Sequence, residues 1–189
     1  MAIRRVIRMG HPLLRQPAQA IEPGEIGSEK LGRLIDDMVD TLQDYSGIGL
    51  AAPQIAEPVR LAIIEIPDES ARYDNLESVP LMVFINPVIE IIDPATHGYW
   101  EGCLSVPGLR GFVERPQHVK ISYTSVQGEA LELEVQGFAA TVFQHELDHL
   151  DGKLFIDRIT DTRLLAFEAE YERYLLPMEA IHDSEGVRH

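Results

Sequence analysis

The stretch Gln144-His145-Glu146-Leu147-Asp148-His149-Leu150-Asp151-Gly152 limits most narrowly what this chain can become. Two histidines four residues apart project from one face of a helix, so both imidazoles can reach a single metal ion. Glu146 directly follows the first of them. That places it to take a proton from a water on the ion rather than to ligate it. The helix itself reads as Gly137 to Leu150 and is apolar on several sides, through Phe138, Ala139, Ala140, Val142, Phe143, Leu147 and Leu150. A helix of that kind is usually buried. Two His and a Glu inside it are costly unless something satisfies them, which weighs against a surface helix with unrelated histidines.

Around this helix the chain reads as α+β. Leu31, Leu34, Ile35, Met38, Val39 and Leu42 recur at helical spacing, with Ser28 as N-cap and Gly47 as the C-terminal stop. Val59 to Ile66 and Leu81 to Ile92 read as strands, rich in Val and Ile and bounded by prolines, with a polar surface loop over Pro67 to Val79. His118 to Val126 and Ala130 to Val135 form a predicted hairpin turning at Gln127-Gly128-Glu129. Asp161 to Leu175 is expected as a second amphipathic helix, using Leu164, Leu165, Phe167, Tyr171 and Tyr174. Strands that surround a buried helix without βαβ alternation imply mainly antiparallel pairing around that central helix, with further helices near the two termini. The expected organisation is one catalytic domain over residues 1–176 and a frayed tail over 177–189.

A catalytic metal takes three protein ligands and keeps one position open. Zinc proteases with this helix often place another His three residues beyond the following Gly, and that position here is Phe155. Glu168 and Glu170 are alternatives on a later element, but they interleave with Phe167 and Tyr171 as the solvated side of an amphipathic helix does. Cys103 lies in the Gly-containing segment Glu101-Gly102-Cys103-Leu104-Ser105, and thiolate suits borderline and soft divalent ions. On residue type alone, an inert buried thiol is as good a reading. A further segment, Gly47-Ile48-Gly49-Leu50-Ala51-Ala52-Pro53-Gln54, lets backbone approach a ligand closely and ends on one amide side chain.

Bulk composition excludes more than it selects. The formal net charge of −15, from 16 Lys+Arg against 31 Asp+Glu, disfavours broad contact with phosphate backbones or anionic lipid. Sequence-specific nucleic-acid binding and membrane association are therefore not expected. With one cysteine, no intrachain disulfide forms, which fits a reducing compartment. The basic start, Ala2 to Arg8, leads into no apolar signal-peptide core, so cytoplasm is the expected address.

Together and in this order, Gly-Ile-Gly-Leu-Ala-Ala-Pro-Gln, Glu-Gly-Cys-Leu-Ser and Gln-His-Glu-Leu-Asp-His-Leu-Asp-Gly closely resemble the three signature motifs of the peptide deformylases. Gly10-His11-Pro12-Leu13-Leu14-Arg15 resembles that family's opening segment. The resemblance implies hydrolytic removal of the formyl group from N-formylmethionine on nascent peptides, with release of formate. It implies one divalent ion held by Cys103, His145 and His149, physiologically Fe(II), a donor set that also accepts Zn(II), Ni(II) or Co(II). Glu146 becomes the general base and acid, and the Gln54 amide and the Leu104 backbone N–H become oxyanion donors. Backbone at Gly49 and Gly102 would line the substrate strand, and Ile48, Phe138 and Val142, with Trp100 nearby, would receive the methionine side chain. Arg110 matches a substrate-contacting arginine. A transient ribosome contact is a family-level expectation. Two rivals separate cleanly from this reading. A zinc peptidase needs a third ligand other than Cys103, and a closed structural site needs a fourth protein ligand.

Overall fold

The structure, a computed structural model, describes residues 2–66 and 79–176. The surface loop expected over Pro67 to Val79, save Val79 itself, and the tail over 177–189 lie outside the described residues. The sheet runs β1 (Gly49–Ala51), β2 (Leu61–Ile66), β3 (Val79–Cys103), β4 (Val106–Thr124), β5 (Ala130–Gln136) in sequential order, with β6 (Leu165–Phe167) added to β4. Every pair in it is antiparallel.

Two helices of more than two turns pack on this sheet, α1 (Glu29–Asp44) and α2 (Gly137–Leu150). In α1, Ser28 Oγ accepts from the Leu31 N–H at 3.2 Å, as its N-cap position implies. The stop differs in detail from the expectation at Gly47. Ser46 takes the left-handed conformation, and the Gly47 N–H donates to Leu42 O at 3.1 Å, closing a six-residue C-terminal turn.

The uninterrupted apolar run of β2 is explained by burial on both faces. Leu61 and Ile63 join Met38 and Leu42 of α1 in one core cluster. Ala62, Ile64 and Ile66, pointing the other way, join Phe84, Phe143, Leu147 and Leu150 in a second. A smaller cluster of Val106, Val113, Leu154 and Phe155 packs beneath Cys103. The residues of α2 from Phe138 to Leu150 are buried except Gln144, which is half-buried, so the polar groups of the motif sit in the interior.

Two elements differ most from the sequence reading. The strand expected to end at Ile92 continues to Cys103, pairing with β4 down to Cys103↔Val106 and so delivering the cysteine at a turn. Pro94 does not end it, because the register shifts between Asp93 and Thr96 absorb the missing donor. The amphipathic helix expected over Asp161 to Leu175 does not form as one piece. A 3-10 turn Thr162–Leu164 leads into β6, then short helical turns over Glu168–Glu170 and Tyr171–Leu175. The physical reason is the sheet edge. β5 covers β4 only from His118 to Thr124, and Leu165, Ala166 and Phe167 pair with the otherwise open stretch Leu109–Gly111. Among the described residues no helix is long and apolar enough to cross a membrane.

Candidate metal centre and active site

The N-terminal strap, the first motif, the β3–β4 turn and α2 meet at one place. Ile7 N–H donates to Gln54 O at 2.8 Å and Met9 N–H to Ser105 O at 2.7 Å, tying the strap to two of the motifs. Cys103 ends β3, and Leu104 and Ser105 form the turn into β4. Across that turn α2 presents its histidines. Cys103 Sγ lies 3.3 Å from His149 Nε2, and ligand atoms of Cys103, His145 and His149 all lie within 4.8 Å of one another.

The donor set passes a physical test for a divalent ion. One sulfur and two imidazole nitrogens suit a tetrahedral ion with a free fourth corner. His149 Nδ1 and Glu146 Oε2 are buried and have no hydrogen-bond partner among the described residues. Each such orphaned buried polar atom calls for a partner, which a bound ion or water would supply. The His145 Nδ1 is engaged by Glu101 Oε2 at 2.7 Å, which leaves Nε2 for ligation.

Electrostatics follow from this crowding. Burial alone would push the Cys103 thiol up, but the His149 and His145 imidazoles outweigh it and bring it down to about 5. Burial opposes charge on His145 too, yet Cys103 and Glu101 together hold it well above the usual histidine value. The opposite balance holds at Glu146. Burial pushes its carboxyl up, and the neighbouring imidazoles only partly offset this. A carboxyl raised in this way suits proton transfer near neutrality better than a fully solvated one.

A cavity of about 710 Å³ opens over the cluster. Gln54, Cys103, Leu104, His145 and Glu146 all line it, while His149 lies 1 % exposed beneath. Ile48, Phe138 and Val142 supply its apolar wall, and Gly49, Gly102 and Arg110 border it, with Trp100 beside them. Gln54 is held by the Ala51 N–H on its Oε1 at 2.8 Å, which turns its Nε2 toward Cys103 Sγ at 3.6 Å and Ser105 Oγ at 3.3 Å. Gly49 has a role beyond lining. A Cβ there would meet Glu146 Oε1 at 2.5 Å, so the bare backbone makes room for the carboxylate.

Sequence reasoning missed the layer behind the site. Arg115 is 3 % exposed, and its Nε and Nη2 donate to Glu101 Oε1 and Oε2 at 2.6 and 3.0 Å. Its Nη1 donates to Asp148 Oδ2 at 2.8 Å, and Arg158 adds bonds to Asp148 at 3.1 and 2.5 Å. Asp148 thus anchors α2 to β4 rather than meeting an ion. Against the burial that would raise them, His145 and Arg115 hold the Glu101 carboxyl, and Arg158 and Arg115 that of Asp148, below the usual range. Glu101 stands two residues before Cys103, and that proximity was the available signal. Arg115 gave none.

Comparison with known proteins agrees with the motif order. The family described as polypeptide deformylase matches residues 3–164. A peptide deformylase of Leptospira biflexa is 37% identical over 172 residues, covering 91% of this chain and 96% of its own. Peptide deformylase 1 of Nitrosomonas europaea is 40% identical over 181 residues, covering 96% and 99%. Among solved structures, the Met-Ala-Ser-bound class I type b peptide deformylase of Acinetobacter baumannii superposes with a TM-score of 0.79 at 38% identity, covering 83% of this chain and 98% of that one. With its three motifs converged on one cavity, the chain belongs to the polypeptide deformylase family.

Proposed function

We propose that this chain removes the formyl group from N-formylmethionyl nascent peptides and releases formate, using one divalent ion held by Cys103, His145 and His149. The observation that carries the reading is the closeness of Cys103 Sγ to His149 Nε2, 3.3 Å, at the floor of a cavity where Glu146 Oε2 has no hydrogen-bond partner among the described residues. Fe(II) is the expected ion, and Zn(II), Ni(II) and Co(II) fit the same donors. An ion bound there supplies Lewis acidity for the attacking water and the formyl oxygen.

The chain's own groups do the rest. Glu146 takes the proton from the attacking water and returns it to the departing amine. Gln54, fixed through Ala51, and the Leu104 N–H donate to the oxygen as it gains charge. The backbone of Gly49 and Gly102 pairs with the extended peptide, so recognition needs few side chains. Ile48, Phe138 and Val142 receive the methionine side chain, and Arg110 meets the peptide further along. This reading treats residues 1–176 as one catalytic unit arranged around α2, with 177–189 as a tail, acting in the cytoplasm with transient access to the ribosome.

The test is anaerobic reconstitution with Fe(II), followed by formate measurement from a formyl-Met tripeptide. Glu146→Ala is expected to keep its metal and lose turnover. Full activity in that variant overturns the mechanism.

A further inference from the structure

In the cavity wall Arg110 is ion-paired with Glu168, which none of the steps above uses. Both Nε and Nη2 of Arg110 donate to Glu168 Oε1, at 3.1 and 2.5 Å, while the second carboxylate oxygen accepts no hydrogen bond among the described residues. Glu168 also lines the cavity, with its side chain 36% exposed against 13% for Arg110. Its place is fixed on two sides. β6 immediately before it pairs Ala166 with Arg110, and Tyr171 just after it packs on Trp100 with ring centroids 5.0 Å apart.

The guanidinium lies against Gly102. A Cβ at that glycine would stand 2.2 Å from Arg110 Nη1 and 2.7 Å from Cζ. A peptide running along the Gly102 backbone therefore passes beside this charge pair, past the formylated residue. An unpaired arginine at that point would attract a carboxylate. Arg110 already holds one.

We propose that Glu168 is a specificity-determining residue. By occupying Arg110 and adding its own negative charge, it disfavours peptides with an acidic third residue or a free terminal carboxylate there, and favours neutral or cationic ones. The inference rests on the deformylase reading of the cavity. Like charges on the peptide and Glu168 repel, and the pair must open before Arg110 can accept a new anion.

The test measures kcat/KM on the Fe(II)-loaded full-length protein with formyl-Met-Ala-Ser ending in a carboxylate and in an amide. In Glu168→Gln the carboxylate-to-amide ratio rises on the order of fivefold, the range expected for a partly exposed charge pair. In Glu168→Gln with Arg110→Gln the rise disappears. A purely structural role for Glu168 would lower both substrates together, so an unchanged ratio overturns the proposal. A second measurement needs no variant. Wild-type protein prefers formyl-Met-Ala-Lys amide over formyl-Met-Ala-Glu amide, and salt narrows the gap; equal rates at low salt overturn the inference. Absence of formate from every amide overturns this inference and the deformylase reading together, whereas formate release with an unchanged ratio overturns only the inference.

Discussion

Gly49 and Glu146 come from different motifs, yet each sets what the other can be. Because a Cβ at position 49 would fall 2.5 Å from the Glu146 carboxylate, Gly49→Ala must displace that carboxylate, the proposed general base, or shift β1. Displacements of about an ångström at a reacting group cost on the order of a hundredfold in rate. Gly49→Ala is thus expected to lose about that much kcat while keeping its metal content, as formate release and metal analysis on the same sample will show. Of the candidate ligands, His145 and His149 stood out in the sequence because periodicity places them on one helical face, whereas Cys103 entered only through the resemblance, an inert thiol being as good a reading of the residue alone. The Gly49–Glu146 contact was not legible, since it depends on how closely β1 approaches α2. Arg115 was hidden for a related reason: nothing in Glu114-Arg115-Pro116 distinguishes a buried cation from a surface one.

At the level of elements, Arg115 links β4 to α2 through Asp148 and reaches His145 through Glu101. Removing one member of such a buried group leaves uncompensated charge behind. Arg115→Met, which keeps the side chain's bulk, is expected to cost about 3–5 kcal/mol of stability in urea unfolding of the metal-free protein. A cost below about 1 kcal/mol would mean that water reaches the network. Helix α2 was readable to its ends, since a long apolar run with no interior Gly or Pro leaves few alternatives. The segment after Ile159 was not. Leu164, Phe167 and Tyr174 recur near helical spacing, yet all three are exposed, and the unpaired edge of β4 won the backbone instead. Local periodicity cannot report a vacancy in a sheet built fifty residues earlier.

For the molecule as a whole, an ion at the centre would join a strand turn to a helix across 46 positions of sequence. Binding to the folded state alone stabilises it by mass action. At a thousandfold excess over Kd, Zn(II) is expected to raise the thermal midpoint by roughly ten degrees, and chelation to reverse this, as followed by differential scanning calorimetry. The N-terminal strap carries a different consequence. Its Ala18 N–H donates to Leu150 O, and the backbone of Arg15 and Gln16 crowds Gly152, whose φ is 71°. The stretch from Arg15 to Ala18, though early in the sequence, is therefore among the last to find its seat. During translation the strap's early part can settle on Gln54 and Ser105, but the end from Arg15 to Ala18 waits until residues beyond 150 have emerged, so a nascent copy stalled short of Gly152 leaves that end unseated, however well its early strands have set.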